Sequence, residues 1–140
     1  MNILLAADGS PYTKRMLAYV AAHDEWLGSL HRYVVVTAVP AIPPRAAAVL
    51  DREVVKDYYR DEAEKVFKPI RTFFKQRRIE AEFVSKVGPA ADVITKQADT
   101  GDFDLLLMGS HGHGAVVNFV MGSVATKVLA RCKLPVLLVR

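Results

Sequence analysis

The sequence predicts an α/β fold in which an open parallel sheet is covered by helices on both faces. Short apolar runs alternate with longer amphipathic stretches along the 140 residues, which is the order of a strand–helix–strand chain. The runs are apolar without interruption and rich in Val, Ile and Leu, as is typical of strands buried on both faces. Hydrophobic residues make up 51% of the chain and charged residues 24%, so the composition is globular rather than disordered.

Length and composition indicate one domain over residues 1–140. No apolar run approaches the roughly 20 residues that a membrane helix needs, and the N-terminus lacks the basic region and cleavage site of a signal peptide. The single Cys132 is compatible with a reducing compartment. We therefore expect a cytoplasmic protein without a membrane partner.

The chain is basic, with a formal net charge of +4 and a pI near 9.3. Its basic residues are dispersed, and the one tight cluster, Lys75–Arg78, is typical of a solvated helix end. Nucleic-acid-binding proteins concentrate positive charge on one face and add aromatic stacking residues. We therefore expect no nucleic-acid partner.

The first half of the chain predicts two strands, each followed by a helix. Ile3–Ala7 is the first strand, and Ser10 as N-cap with Pro11 in the first helical position begins a helix that extends to about Leu30. Tyr33–Val39 is the second strand, with the β-branched residues that strands favour. Residues 40–50 contain three prolines and are predicted to form a mobile loop.

The second half repeats the alternation three times. Asp51 begins a long helical pattern, which Pro69 should kink or divide in two. The third strand, Glu80–Val87, is more polar and is therefore expected near a sheet edge. After a helix that begins at Gly88-Pro89, the remaining elements are the strand Phe103–Met108, a glycine-rich loop, the helix Val124–Ala130 and the strand Val136–Val139.

The glycine-rich loop predicts a site for a phosphate-bearing ligand. It contains Gly109, Gly112 and Gly114, and Gly122-Ser123 follows at the start of a helix. Glycine allows a backbone to approach a ligand closely, and a helix N-terminus offers unpaired N–H groups and the positive end of a dipole. Ser123 can cap that helix and donate its hydroxyl to a phosphate oxygen. The alternative is that the glycines serve only a tight connection between strand and helix.

The position of Asp8 indicates a second component of the same site. Asp8 follows the first strand and the glycine loop follows the fourth, and ligands of such sheets bind beyond the carboxyl ends of the strands. We expect Asp8 and the loop to meet at one cleft. Asp8 can alternatively cap the helix that begins at Ser10 or hydrogen-bond to its own loop.

Two common phosphate-binding fingerprints are excluded. A P-loop requires Lys-Ser or Lys-Thr after its last glycine, but Ala115 follows Gly114. The dinucleotide fingerprint places its third glycine where Val117 stands, and it follows the first strand rather than the fourth. His111 and His113 are too few for a metal site of their own, since no Cys or acidic cluster obviously completes the set.

The spacing Gly109-x2-Gly112-x9-Gly122-Ser123 matches the ATP-binding signature of the universal stress protein family. Asp8-Gly9-Ser10, Gly88–Ile94 and the closing Leu134–Val139 also resemble segments of that family, so the likeness extends over nearly the whole chain. This resemblance implies a Rossmann-like, five-stranded parallel sheet with strand order 3-2-1-4-5. It further implies a homodimer formed through Val136–Val139 and a stress-response role with an unknown protein partner.

Resemblance to the ATP-binding branch also implies the ligand and its contacts. The ligand is ATP, with Mg²⁺ or Mn²⁺ bound through its phosphates. The phosphates would lie against the loop and the following helix, flanked by His113, while the adenine and ribose would lie near the ends of the strands. The phosphate-side residues are Gly112, His113, Gly122, Ser123 and Val124, and the nucleoside-side residues are Ala6, Asp8, Ala38, Met108 and Gly109.

No catalytic residue is predicted. An ATP-consuming enzyme needs a base or a nucleophile over the γ-phosphate, and the parts of a kinase or GTPase are absent from the sequence. We expect ATP to act as a regulatory ligand, with slow hydrolysis at most. Two alternatives stay open, namely a nucleotide-free dimeric interaction module and a true ATP hydrolase or phosphotransferase.

Overall fold

A computed structural model of the chain describes residues 1–114 and 118–140. Within these described residues the five predicted strands are present, and six helices lie in the connections between them, two each after β1 and after β2. The strands are β1 (Asn2–Ala6), β2 (Arg32–Val39), β3 (Ala81–Val87), β4 (Leu105–Gly109) and β5 (Val136–Val139). The helices are α1 (Pro11–Ala22), α2 (Asp24–Leu27), α3 (Pro44–Ala47), α4 (Arg52–Gln76), α5 (Ala90–Thr100) and α6 (Ser123–Arg131).

The strands form one sheet in the order β3-β2-β1-β4-β5, and all four pairings are parallel. The predicted fold class and strand order are therefore confirmed. β3 lies at one edge, as its polar sequence indicated, and β5 lies at the other. β1 and β4 are neighbours at the centre of the sheet. The connection after β1 leads to β2 on one side, and the connection after β4 leads to β5 on the other side, so the two connections diverge between β1 and β4. That divergence is where open α/β sheets place their ligands.

The sheet separates two apolar core clusters. Successive residues of a strand face opposite sides, so neighbouring leucines in β1 belong to different clusters. Leu5 packs with α1 and α4 on one face, whereas Leu4 packs with α5 and α6 on the other. Both leucines are completely buried. Helices on both faces explain why the central strands are apolar without interruption.

The first predicted helix is wrong in extent, because α1 ends at Ala22 and a separate turn, α2, follows. His23 interrupts it with φ −125° and ψ 47°, and its ring stacks on Tyr19 at 4.0 Å between ring centroids. The Nδ1–H of His23 donates to the Tyr19 carbonyl at 2.8 Å, since a carbonyl oxygen only accepts. Leu27 is fully buried across the break, so the apolar periodicity gave no sign of it.

Two features of the proline-containing segments also differ from expectation. Residues 40–50 include the one-turn helix α3, which begins at Pro44, a residue suited to the first helical position. α4 runs undivided through Pro69 for 25 residues. Pro69 is exposed, while Phe67 and Ile70 beside it are buried, so core packing holds the helix together across the lost hydrogen bond. Within the described residues, no helix is both long and apolar enough to span a membrane.

Candidate functional site

The carboxyl ends of β1, β2 and β4 bring the predicted nucleoside-side residues to one edge of the sheet. Ala6 ends β1 and pairs in register with Met108 of β4. Ala38 stands near the end of β2, two positions beyond Val36, the other partner of Ala6. Ala6 is only 7% exposed and Met108 only 4%. Their side chains belong to the core, so a ligand here would meet mainly their backbone.

Asp8 leaves β1 and organises the start of α1. Its Oδ1 accepts hydrogen bonds from the Ser10 N–H at 2.9 Å and from the Thr13 hydroxyl at 3.1 Å. Ser10 is the N-cap residue and Pro11 the first helical residue, as predicted. The Ser10 hydroxyl makes no capping bond, however, and is buried without a hydrogen-bond partner among the described residues. The Asp8 carboxylate therefore orders the start of α1. This is the structural role that the sequence offered as an alternative to contact with a ligand.

The glycine loop approaches Asp8 closely, as the sequence predicted. A Cβ atom on Gly112 would lie 2.5 Å from Oδ2 of Asp8, closer than any side chain allows. The Nε2–H of His113 donates to the Asp8 backbone carbonyl at 2.7 Å. The first part of the loop is thus held against the end of β1. Residues 115–117, inside the same loop, lie outside the described residues.

The loop returns to its own beginning before α6 starts. The Gly122 N–H donates to the Ser110 carbonyl at 2.7 Å, and a Cβ on Gly122 would lie 3.1 Å from the His111 Cα. The Nε2–H of His111 donates to the Phe119 carbonyl at 2.8 Å. A side chain at position 122 would therefore crowd the backbone of the loop whether or not a ligand binds. The hypothesis that the glycines serve a tight connection between strand and helix is therefore compatible with the hypothesis that they form a ligand site.

The start of α6 differs by one residue from the prediction that Ser123 caps it. Gly122 is the N-cap, with φ −72° and ψ 163°, and Ser123 is the first helical residue. The Ser123 side chain is exposed and makes no capping hydrogen bond. In the first turn of a helix the N–H groups have no carbonyl partner within the helix. Ser123 and Val124 therefore present backbone N–H donors, and Ser123 adds a hydroxyl.

The assembled groups fit a ligand that is anionic at one end and carries hydroxyls at the other. The donors and the dipole at the start of α6 suit an anion. Oδ2 of Asp8 is an acceptor for a hydroxyl or an amine, beside a loop that only glycine allows to come so close. Among residues 1–114 and 118–140, no three His, Cys, Asp or Glu side chains lie together in a way that could hold a metal ion.

A neighbouring cleft of about 320 Å³ contains Tyr12, Arg15 and Arg140, which sequence reasoning did not identify. The Arg15 guanidinium lies 4.7 Å from the ring centroid of Tyr12, and that ring lies 5.0 Å from the ring of His111. Tyr12 and Arg15 are three positions apart and therefore lie on one face of α1, and this spacing could have identified them from the sequence. Arg140 also lines this cleft because β5, which it follows, lies beside β4 in the sheet, and the sequence alone does not give that order. The lining residues are Tyr12, Arg15, Ser110, His111, Phe119, Val120 and Arg140.

Comparison with known proteins finds similarity over the full length of the chain. The model of the universal stress protein family matches residues 1–140. A universal stress protein of Thermus aquaticus, described by its place in the QAH/OAS sulfhydrylase 3′ region, is 35% identical over 99% of this chain and 98% of its own length. Universal stress protein Slr1230 of Synechocystis is 32% identical over 99% of this chain. The chain spans 42% of the length of that second relative.

Solved structures share the fold at lower identity. Hypothetical protein MJ0577 superposes with a TM-score of 0.76 at 22% identity, covering 99% of this chain and 94% of its own. A universal stress protein family protein of Arabidopsis thaliana, crystallised with AMP bound, has a TM-score of 0.71 at 15% identity, with 99% and 90% coverage. The universal stress protein of Archaeoglobus fulgidus in complex with dAMP has a TM-score of 0.68 at 22% identity, with 100% and 98% coverage.

Proposed function

The chain belongs to the universal stress protein family, and we propose that it is an ATP-binding member in which the nucleotide acts as a regulatory ligand. The observation that carries this proposal is the meeting of three parts at one edge of the sheet. These parts are the Asp8 carboxylate, the glycine loop that packs against it, and the first turn of α6. A nucleotide needs both a phosphate-binding end and a sugar-binding end, and these parts supply one each.

The phosphates belong at the α6 end of this site. The N–H groups of Ser123 and Val124 and the Ser123 hydroxyl are donors at the positive end of a helix dipole. Gly122 donates its N–H to the Ser110 carbonyl, so its predicted contact with phosphate would be made without that N–H. Its role in the proposal is to let the loop close, so that the helix start faces the site.

The nucleoside belongs at the Asp8 end. A carboxylate repels phosphate, whereas its free oxygen accepts hydrogen bonds from ribose hydroxyls. Ala6, Ala38 and Met108 offer backbone groups rather than polar side chains, which suits recognition of a flat base through the main chain. The Arabidopsis and Archaeoglobus proteins that share this fold were crystallised with AMP and dAMP, which supports an adenine nucleotide here. The choice of ATP rests on the intact glycine signature.

No side chain in the site is proposed to be catalytic. The proposal assigns the Asp8 carboxylate to the nucleoside end of the site, and the Nε2–H of His113 donates to the Asp8 carbonyl, so neither residue is assigned to the terminal phosphate as a base. Hydrolysis is proposed to be slow at most. Mg²⁺ or Mn²⁺ would be held through the phosphates of the nucleotide.

The assembly proposed for this chain is a homodimer through β5 in a reducing cytoplasm. β5 is one of the two edge strands of the sheet and is four residues long, and an unpaired edge is a template for a second strand. The unknown protein partner expected of a stress-response regulator would then read the nucleotide state of the dimer.

The test is calorimetric titration of ATP with Mg²⁺, preceded by mass spectrometry of nucleotide released on denaturation. Wild type should release or bind ATP. Ser123→Ala removes one phosphate donor and should weaken binding by about 1 kcal/mol, roughly fivefold. Ser123→Thr keeps the hydroxyl and is the matched control, for which we expect binding close to that of wild type.

Two outcomes would contradict the proposal. A folded protein that neither carries nucleotide nor binds ATP would instead be a nucleotide-free interaction module. Rapid turnover of ATP would instead indicate a hydrolase or phosphotransferase. Equal weakening in Ser123→Ala and Ser123→Thr would contradict only the contact between the Ser123 hydroxyl and phosphate, since neither variant removes the backbone donors of α6.

A further inference from the structure

The Thr13 hydroxyl lies at the centre of the hydrogen-bond network at the start of α1. Thr13 is the third residue of that helix and is only 5% exposed. Its Oγ1 accepts the N–H groups of Asp8 and Gly9, each at 3.2 Å, and its O–H donates to Oδ1 of Asp8 at 3.1 Å. A hydroxyl has two lone pairs and one proton, so these three bonds use its full capacity. The O–H of Thr13 is therefore directed at the carboxylate.

The same network determines which oxygen of Asp8 a ligand can reach. Oδ1 accepts two hydrogen bonds, from the Ser10 N–H at 2.9 Å and from the Thr13 hydroxyl. Within residues 1–114 and 118–140, Oδ2 accepts none, and it is the oxygen that faces Gly112. The last torsion of an aspartate side chain is broad, so a single hydrogen bond leaves the carboxylate able to turn. The second bond, from Thr13, holds its plane.

The bond that Thr13 donates goes beyond what the turn itself requires. The N–H groups of Asp8 and Gly9 need only an acceptor at position 13, which the oxygen of Thr13 supplies. The proton that it gives to Oδ1 is a separate contribution to the orientation of the carboxylate. The Ser10 hydroxyl does not make this contribution, because it is buried without a hydrogen-bond partner among the described residues.

We propose that Thr13 is a positioning residue for the nucleotide site and sets its preference for a sugar that carries hydroxyls. This inference rests on the proposed function, in which Oδ2 of Asp8 accepts a hydrogen bond from the ribose. Thr13 acts through Asp8 rather than by touching the nucleotide. It holds the carboxylate so that Oδ2 stays turned towards the loop and open to the sugar. Without this bond the carboxylate rotates, and the affinity gained from the ribose hydroxyls is lost.

The test compares ATP with 2′,3′-dideoxy-ATP, which has the same base and phosphates but neither ribose hydroxyl. Calorimetric titration of each with Mg²⁺ gives two dissociation constants, and the dideoxy value divided by the ATP value is the selectivity ratio. Wild type should bind ATP about tenfold more tightly, as expected for a hydrogen bond to a charged acceptor. Partial unfolding weakens the apparent binding of both nucleotides equally, so the selectivity ratio does not respond to a loss of stability alone.

Substitutions at position 13 separate the hydroxyl from the rest of the side chain. Thr13→Val removes the hydroxyl, keeps the branched shape and should lower the selectivity ratio to about two or less. Thr13→Ser keeps the hydroxyl and should retain the wild-type ratio. Thr95→Val is the matched control, since Thr95 is a buried threonine of α5 whose hydroxyl donates to the Ala91 carbonyl at 2.8 Å, and it should leave the ratio unchanged. If circular dichroism shows that Thr13→Val is unfolded, Thr13→Ala replaces it with the same expectation.

A double-variant cycle tests whether Thr13 acts through Asp8. Asp8→Ala removes the acceptor and should bring the selectivity ratio to about one. Adding Thr13→Val to Asp8→Ala should then change the ratio no further, because the group that Thr13 positions is already gone. A further change in the double variant would contradict the role of Asp8 as the intermediary.

Three further results would overturn the inference while leaving ATP binding intact. They are a wild-type selectivity ratio in the variant that lacks the Thr13 hydroxyl, an equal loss of the ratio in Thr13→Ser, and a ratio near one in wild type itself. A folded wild type that binds neither nucleotide would instead contradict the proposed function, and the inference would fail with it.

Discussion

Asp8 is the residue at which the two halves of the candidate site meet. One carboxylate oxygen orders the start of α1 through Ser10 and Thr13, and the other faces Gly112. The backbone carbonyl of the same residue accepts the His113 hydrogen bond. Any change that separates the loop from Asp8 should therefore affect ligand binding before it affects the core.

Gly112→Ala tests this contact directly. The new methyl group would lie 2.5 Å from Oδ2 of Asp8, so the loop must shift away. We expect the ATP affinity to fall about tenfold, with a smaller loss of global stability. Gly114→Ala is the control, because its Cβ would meet no atom of the described residues within 4 Å, although its φ of 71° strains an alanine. It should cost about 1–2 kcal/mol of unfolding free energy and leave calorimetric affinity unchanged. Wild-type affinity in Gly112→Ala would contradict this role of the contact.

The sequence predicted that Asp8 and the glycine loop lie close together, but not every structural role of the residues in these two segments. The approach of Asp8 to the glycine loop followed from the rule that ligands bind beyond strand ends. The N-cap was misplaced because Ser and Gly both suit that position. The choice of Gly122 over Ser123 accompanies loop closure onto the Ser110 carbonyl. Thr13 was missed because its role is a hydrogen bond from its hydroxyl to the Asp8 carboxylate, which no sequence pattern indicated.

Among the elements, the helices show what apolar periodicity does and does not report. Leu27 is buried although a break at His23 separates it from α1, so the break leaves the apolar periodicity intact. Pro69 predicted a kink or a division of the helix, and the buried Phe67 and Ile70 keep α4 undivided. Periodicity therefore reports which face is buried, whereas continuity depends on packing that a local pattern does not contain.

The backbone of β5 is arranged to accept another strand. The carbonyls of Pro135 and Val139 accept hydrogen bonds from Leu106 and Ser110, on the β4 side. Backbone groups of a strand point alternately to its two sides, so the N–H and C=O of Leu138 face away from β4. That outward edge is the one through which the proposed homodimer would form.

Leu138→Lys should prevent this pairing, because two like charges would be brought together at the edges of the two strands. Light scattering coupled to size exclusion should show a dimer for wild type and a monomer for the variant. Leu50→Lys controls for the added charge, since Leu50 is 42% exposed in the connection that follows β2. Leu138 packs against the α5 and α6 core cluster, so circular dichroism must also show that Leu138→Lys is folded. A dimer that persists in Leu138→Lys, or a monomer in both variants, would exclude β5 as the interface.

For the molecule as a whole, layering was predictable from the sequence and strand order was not. Alternating apolar strands and amphipathic helices require helices on both faces, and the polar β3 indicated one edge. No local pattern states that β1 pairs with β4 rather than with β3. That order was inferred from the family resemblance, and the pairing of Ile3 with Leu105 and of Ala6 with Met108 agrees with it.

Tyr33 connects three elements across one of the two cores. It is fully buried in β2, its ring lies 5.3 Å from that of Phe74 in α4, and its hydroxyl donates to the Leu27 carbonyl of α2. Burial, reinforced by the negative charge of Asp24, raises the pKa of Tyr33 from 10.0 to about 12. The folded state therefore keeps the phenol protonated at a pH where an unfolded chain releases the proton.

This difference predicts a specific loss of stability in alkali. Below pH 10 the Tyr33 phenol is protonated in both the folded and the unfolded state, so its contribution to stability is complete. Between pH 10 and about 12 only the folded state keeps the proton. The free energy of unfolding should therefore fall as the pH rises through this range. The fall due to Tyr33 should reach about 3 kcal/mol, measured by urea unfolding across that range. Tyr33→Phe should be about 1 kcal/mol less stable at neutral pH and should lack this component of the fall. Tyr58→Phe, at a site 46% exposed, should retain it. Parallel pH profiles for the two variants would show that the alkaline transition arises elsewhere in the molecule.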